Sequence, residues 1–550
     1  MPLASDQALA AEEPAAKEPA AKEPAAKEPA AKAVADKETP VQKEERLVKE
    51  PQKAEPEKAA QVEAEAQELV KSQERVAKSV EVAKAAELAK AQEAAKAQEA
   101  LRAKAEAVRV ATLDVPNPVI KTPGTLAAKS VEVSIELGLR EAIIAYTLDG
   151  SDPSSSNGNR YSGPITISSS SLLKARAFIP GAKSSGIVSA QYTIGEVCVS
   201  PGAAGDGRRD APLGRVSEAL VKARSLGIDT VKLSAGIFEA SIDLDAPIYL
   251  SGSWKNDFSS QASVPTIIRG KAAGTTSKKT PGYAIRISKK VADSQTRLER
   301  IEFRGPESSY SAGIVVNDNA SPSFVNCSSY GGFGSYGYGA SVSGDAEPSF
   351  KSTRLDGGEA ATSYGISIDS ARAEIDSCRL LAGTGRVGGY GLAATDAGVT
   401  VFNSVLAGGS ANVNYGAAFY NSKDASLTRC TIVGGTGKEA SAVFISVSNP
   451  IIDRCILQAQ GEAKSFGITA NYGASAPKQL TASLFIGCSS GLYWDVGSRS
   501  ALNNFSSSGA IVDANNNSPI RDKNGENARA SFALGPAPHY KSNAGDVGSE

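Results

Sequence analysis

The sequence predicts a mainly β protein: a right-handed parallel β-helix, preceded by a small β-sandwich and an N-terminal arm that is part disordered and part helical. Three observations carry this. Between residues 298 and 494 a short motif recurs. Phe324-Val325-Asn326-Cys327 is followed by Phe350-Lys351-Ser352-Thr353, Ile375-Asp376-Ser377-Cys378, Val401-Phe402-Asn403-Ser404, Leu427-Thr428-Arg429-Cys430 and Ile452-Asp453-Arg454-Cys455. The last residues of these units, with Ile301 before them, lie 25 or 26 positions apart. Fixed self-similarity at this period, in segments rich in glycine and β-formers, marks a solenoid with one coil per repeat. A second column follows each unit: Tyr338-Gly339, Tyr364-Gly365, Tyr390-Gly391, Tyr415-Gly416 and, one repeat skipped, Phe466-Gly467. Finally, no unit carries the long 3.6-period pattern of a helical repeat, and each offers short strands instead.

Within a coil, Tyr364-Gly365-Ile366-Ser367-Ile368 alternates apolar and small residues, as a half-buried strand requires. On that parity the tyrosine column faces inward with Ile366 and Leu392, as an internal aromatic stack rather than a sugar-stacking platform. The apolar column of Phe350, Ile375, Val401 and Leu427 sits three residues before the Cys/Thr/Ser column. Both columns face inward only if the chain bends between them. The residues just before the second column (Asn326, Ser352, Ser377 and Asn403) are types that tolerate a tight bend. Glycine pairs such as Gly357-Gly358 and Gly408-Gly409 then open a loop. At roughly 4.8 Å per coil, the repeats build a rod roughly 40 Å long.

Around this rod, the chain of 550 residues has room for several domains. A formal net charge of −1 gives no global field toward nucleic acid or an anionic membrane. No stretch approaches the ~20 apolar residues of a transmembrane helix. Met1-Pro2-Leu3-Ala4-Ser5 runs straight into polar sequence, and Met1 is the only methionine. That start suits a mature chain given a new initiator; a secreted or envelope setting, with lipid anchoring as one form of it, is expected mostly from the β-helix architecture.

Of six cysteines, Cys327, Cys378, Cys430 and Cys455 share one column with Thr353 and Ser404, which suits small, buried, weakly polar side chains. Stacked parallel side chains rarely meet the disulfide dihedral. Cys198 and Cys488 stand alone. With a single histidine, His539, and no CxxC pair, no Cys/His metal site is expected.

Residues 1–56 form the disordered part of the arm. Four copies of Glu-Pro-Ala-Ala-Lys place a proline at every fifth position, which removes helix hydrogen bonds and leaves a semi-rigid spacer. Residues 57–112 turn to Ala, Glu, Lys and Gln and form a helical tether. Val62, Leu69 and Val76 hint at a coiled-coil seam, and so at an oligomer, but the heptad fades into alanine.

Residues 115–194 read as an antiparallel sandwich, with strands at 131–135, 143–147, 165–167, 172–178 and 190–194. Three runs in it are closely similar to a known module: Tyr146-Thr147-Leu148-Asp149-Gly150-Ser151-Asp152-Pro153, Tyr161-Ser162-Gly163-Pro164-Ile165 and Leu173-Lys174-Ala175-Arg176-Ala177. They resemble the immunoglobulin-like module named after the chitobiase/β-hexosaminidase C-terminal domain. The resemblance implies an accessory module of secreted bacterial proteins, sometimes beside carbohydrate-active domains, without a catalytic residue of its own. Asp149, Gly150 and Asp152 suggest a metal loop at first sight, but turn chemistry is the preferred reading.

Residues 195–540 form the β-helix, and 541–550 a flexible tail. Glu196-Val197-Cys198-Val199 opens it, and a helix over 215–226 presents Val216, Ala219, Leu220 and Ala223 on one face. This entry resembles that of bacterial right-handed parallel β-helix proteins of the DUF1565 kind, where a short helix caps the hydrophobic end of the rod. Trp254 is the one residue singled out for ligand contact, against an early-coil packing role, which is preferred.

No catalytic signature is visible in the coils. The weak candidates are Asp345, Asp369 and Asp396, which fall eight or nine residues before their coil's Cys/Thr/Ser column. Stacked about one coil apart, they would raise one another's pKa or bind a cation such as Ca2+. The alternative is that each aspartate occupies a turn, and this is preferred. No other cofactor is expected. The sequence therefore points to a non-catalytic envelope or secreted protein that displays its β-helix for adhesion, to an extended polysaccharide or an extracellular protein. A polysaccharide lyase or glycoside hydrolase and a structural spacer stand as alternatives.

Overall fold

A computed structural model describes residues 59–272, 274, 276–288, 295–471, 475–497, 499–502 and 518–519. The expectations for residues 1–56 and 541–550, and for the side chains of Val62, Leu69 and Val76, fall outside them. The chain divides into two units, Met1–Glu99 and Ala100–Glu550. The helix Ala59–Ala111 runs through the first and ends in the second. There Val110 and Leu113 pack against the cluster of Val115, Ala177 and Ile179, so the helix end is anchored on the sandwich.

The sandwich has a five-stranded sheet in which Ser171–Phe178 lies between Ile143–Thr147 and Val188–Ile194. Val131–Val133 pairs with Ile165–Ile167 beside it. Alternation supplies the core: Leu173 and Ala175 are fully buried with Val133, Ile167 and Tyr192. Asp149 accepts from the Ser151 N–H and hydroxyl at 2.9 and 2.6 Å, and Asp152 pairs with Lys174 at 2.8 Å. Asp149 is thus engaged in turn chemistry and Asp152 in an ion pair with the strand Ser171–Phe178.

From Val197 onward the chain winds as a parallel β-solenoid. One sheet has eleven strands, from Val197–Val199 to Gln479–Thr481, and a twenty-stranded sheet wraps the remaining sides of each coil. A single coil shows the plan. Ser349–Lys351 lies in the first sheet, and Ser352 turns the chain at φ 49°. Arg354–Asp356 follows, then the Gly357-Gly358 loop and the long strand Ala360–Asp369. Ser370, at φ 53°, returns the chain to Arg372–Asp376, in register over Ser349–Lys351. The helix Val216–Leu226 ends on Gly227 at φ 67° and buries Val216, Ala219 and Ala223 on the first coils.

The bend expected before the Cys/Thr/Ser column is present, and it explains the column. Asn326, Ser352, Ser377 and Asn403 are left-handed, as are Arg429 and Arg454, whose residue type gave no sign of it. A left-handed residue takes the next N–H out of the sheet, and that N–H needs a partner. The column side chain one coil on supplies it: Cys378 N–H donates to Ser404 Oγ (3.0 Å), Thr353 N–H to Cys378 Sγ (3.4 Å) and Cys455 N–H to Ser483 Oγ (3.1 Å). The requirement is therefore a small acceptor, beyond small size alone. The second bend uses the same device, with Ser422 N–H donating to Ser448 Oγ at 2.8 Å.

All six thiols are free and buried. Burial pushes the Cys378 thiol up to about 12, so labelling of the native protein there is expected to be slow. Cys378→Ala orphans a buried N–H, at a cost of about 1–3 kcal/mol, whereas Cys378→Ser keeps an acceptor in place. Equal denaturant midpoints for the two variants would contradict this account of the column.

Sandwich and solenoid meet at Glu196, which is 6% exposed. Its carboxylate accepts from Arg209 and Lys232, each at 2.5 Å, and from the Ser170 hydroxyl at 3.0 Å. Burial raises its pKa, but the hydrogen bonds and charges of Arg209 and Lys232 outweigh that and hold it below the usual 4.5. A folded pKa below the unfolded one means that the stability is present above the unfolded value and lost as pH falls through the folded one. Wild type is expected to exceed Glu196→Gln by about 1.5–3 kcal/mol at neutral pH. In thermal unfolding the gap should close on acidification below about pH 4.5; a gap that ignores pH would remove the carboxylate from the explanation.

Candidate functional site

The long strand of each coil is not straight. In Ala360–Asp369, register with the next coil runs Tyr364 on Tyr390 and resumes at Ile366 on Leu392, with Gly365 left between. The same break occurs at Gly339, Gly391 and Gly416. A Cβ on Gly365 would lie 2.7 Å from Leu381 N and 2.9 Å from Leu380 C, and one on Gly339 would lie 2.5 Å from Asp356 N. Those atoms belong to the neighbouring strand ladder of the same sheet. The strand therefore bends until its backbone touches the ladder behind it, and only glycine permits that approach.

This elbow corrects the inward assignment of the tyrosines. Ser363, Ile366 and Ile368 are buried, while Tyr364 and Ser367 between them are half-buried. Alternation counted straight through Gly365 puts Tyr364 inside, but the elbow resets the phase and turns it out. Tyr338 accordingly belongs to a cluster with Tyr310, Tyr336 and Tyr364, separate from the main core that holds Ile366 and Ile368.

Outward side chains on the two arms of an elbow converge, and stacking the coils extends them into a groove. Tyr338, Tyr364 and Tyr390 stack at 5.1 and 4.8 Å, and Tyr415 continues the row at 5.6 Å, tilted by 57°. Phe444, on the opposite arm, meets Tyr415 at 4.7 Å and Tyr420 at 5.4 Å, and Phe466 stacks on Trp494 at 5.3 Å. Burial pushes the phenols of Tyr364, Tyr415 and Tyr420 upward, so they present neutral O–H groups.

The two ends of the groove differ. Toward the N-terminus it is filled: Tyr338 is 2% exposed, Thr276 Oγ1 accepts the Tyr310 N–H at 3.1 Å, and Lys278 reaches Asp369 at 3.3 Å. Toward the C-terminus it opens into a cleft of about 370 Å3 lined by Tyr415, Phe444, Phe466 and Trp494. Glu439 and Lys464, paired at 2.6 Å, and Arg499 also line it. The hydroxyls of Ser441 and Thr469, 2.7 Å apart, complete the polar lining.

The three candidate aspartates do not form one row. Asp345 and Asp396 sit at left-handed turns, φ 56° and 49°, with Ser370 between them in the same column. Asp369 lies one position earlier, in register with Ser343 and Thr395, and it pairs with Lys278. Asp369 stands nine positions before its column, where the others stand eight, so the turn in its coil falls on Ser370 and Asp369 stays in the strand. Asp396 accepts from the Asn421 side chain, and with Asp345, Glu347, Arg372 and Lys423 it lines a separate cleft of about 540 Å3. Among the described residues no group of three or more His, Cys, Asp or Glu side chains is placed to hold a metal ion. Trp254 lies in the other sheet, with Lys232 Nζ over its ring at 3.8 Å and its Nε1–H donating to Ser251 at 3.0 Å. Its ring is half-buried against Lys232 and Ser251 and does not belong to the main core.

The groove residues that the sequence reading passed over include Tyr420, Phe444, Trp494, Glu439, Lys464 and Arg499. Their signal is faint: Phe444 stands three residues after Ser441, as Ser367 does after Tyr364, and that spacing gains meaning only once the elbow is known.

Residues 121–189 match the family model of the chitobiase/beta-hexosaminidase C-terminal domain. No protein of curated function matches the chain in sequence. Among solved structures the chain is similar to a family 28 exopolygalacturonase from Yersinia enterocolitica. The two are 11% identical, and the match covers 73% of this chain and 88% of that one with a TM-score of 0.17.

Proposed function

We propose that this protein binds an extended glycan along the aromatic groove and does not turn it over. The observation that carries the reading is the row of stacked aromatic rings on the outside of the solenoid, in which Tyr364, Tyr390, Tyr415 and Trp494 are half-buried and Tyr338 and Phe466 are buried. Aromatic faces with neutral hydroxyls beside them suit sugar rings, which offer C–H faces and peripheral hydroxyls together.

The reading without turnover rests on where the carboxylates stand. Sheet register places Asp243, Asp369 and Glu439 on the outward arms, and each is ion-paired: to Arg286, Lys278 and Lys464. Asp369 and Glu439 are three coils apart, roughly 14 Å along the axis. A glycosidase pair stands about 5–10 Å apart. We place the protein in an envelope or extracellular setting, a reading supported by the module that residues 121–189 match and by the spacer-like composition of the arm. No described helix is long and apolar enough to cross a membrane.

Calorimetry against neutral and acidic polysaccharides, with reducing ends and unsaturated sugars assayed in parallel, tests the proposal. Binding is expected without product, and Trp494→Ala should weaken it by about tenfold or more, the loss of one stacked ring. Accumulating product, abolished by Asp369→Asn, would make the protein an enzyme. Binding that survives Trp494→Ala and Tyr390→Ala together would move the site away from the groove.

A further inference from the structure

The open end of the groove differs in charge from the rest of it. Upstream, the arms carry Asp243 and Asp369, each neutralised by a cation of the chain itself. Among the described residues that line the open end, Lys464 and Arg499 stand against a single carboxylate, Glu439, which leaves that lining one positive charge in excess. Arg499 is exposed, held at φ 53° just beyond the last groove strand, and forms no ion pair among the described residues. Arg499 thus lines the same cleft as Trp494 and Phe466, with no ion-pair partner among the described residues.

We propose that this end of the groove is a subsite for a carboxylated sugar, so that the ligand is a uronic-acid-containing glycan. The proposal rests on the glycan reading of the groove and adds the charge of the ligand to it. An aromatic floor takes the apolar face of a sugar ring, and a ring carboxylate then projects edgewise, where a planar guanidinium can meet it through two N–H groups. Lys464, already held by Glu439, supplies a second positive edge. A neutral sugar would use the floor and leave Arg499 solvated and unused, whereas a phosphorylated polymer would not need a floor of rings. The occupant that uses both features is a sugar acid.

The test compares ligands that differ only in charge. Calorimetry of the full chain would use oligomers of galacturonate, mannuronate and a glucuronate-containing glycan, each beside its methyl ester. At least one uronate should bind about tenfold or more tightly than its ester, and high salt should shrink that preference. Arg499→Gln should bring the ratio close to one. Arg372→Gln, which removes the same charge from the other cleft, should keep it. Trp494→Ala should weaken acid and ester alike. If acid and ester bind equally, or Arg499→Gln leaves the ratio intact, the uronate inference is wrong while the groove stands as a glycan site. If no saccharide binds to protein whose circular dichroism is native, the glycan reading falls, and the inference with it.

Discussion

Gly365→Ala is expected to cost about 3 kcal/mol, the upper part of the range for overpacking, although it adds a single methyl group. The Cβ would lie 2.5 Å from Gly391 O, 2.7 Å from Leu381 N and 2.9 Å from Leu380 C. All three are backbone atoms, held in the ladders of adjacent coils, so no side chain can rotate away. Relief requires the elbow to open, and opening it separates the long strand from the ladder behind it. Gly163→Ala is the control: a Cβ there meets nothing within 4 Å. It should be neutral or mildly stabilising. Denaturant midpoints give the comparison, and hydrogen exchange locates the damage. Protection should fall in Ala360–Asp369 and Gly388–Thr395 and persist in the sandwich, because stacked repeats interact mainly with their neighbours. A loss below about 1 kcal/mol for Gly365→Ala would mean that the elbow is not a tight backbone contact.

How far the fold was legible depended on whether the relevant period was interrupted. The solenoid could be read because the spacing of Cys327, Thr353, Cys378 and Ser404 is set by coil length, and coil length repeats. The bend at Ser352 and Ser377 could be read because two inward columns three residues apart demand one. The groove could not be read. Its tyrosines were visible as a column, but their direction depends on what happens at Gly365, and alternation is a valid guide only along an unbroken strand. A glycine at such a point carries two messages, a weak strand or an elbow, and the sequence does not distinguish them. The aspartates show the converse error: an offset of eight in Asp345 and Asp396 and nine in Asp369 looks trivial, yet one residue separates a turn from a strand. Both are matters of phase: Gly365 resets it along the long strand, and one residue separates Asp369 from the turn that Asp345 and Asp396 occupy.

Phe350→Ala is expected to be the most damaging single truncation in the interior. Phe350 is 1% exposed and stacks on Phe324 with ring centroids 5.0 Å apart and planes 9° from parallel. Above it, in register, stands Ile375, so the ring is enclosed by side chains of the coils on both sides. Removing it leaves a cavity that ladder hydrogen bonds prevent from collapsing, and the cost should be about 3–5 kcal/mol. Phe350→Leu should cost less than about 1.5 kcal/mol, because Leu427 and Ile452 fill the same column three and four coils on. The contrast tests the column as an interior apolar stack in which volume matters and aromaticity does not. Tyr364→Ala separates that role from the groove. The tyrosine is half-buried on the outer face, so its truncation opens a space to water and no closed cavity forms. It should therefore cost less stability than Phe350→Ala while weakening glycan binding, and Phe350→Leu should bind as wild type does. If Tyr364→Ala proves as destabilising as Phe350→Ala and leaves binding unchanged, the tyrosine row is a second core, and the groove loses its claim to be a site.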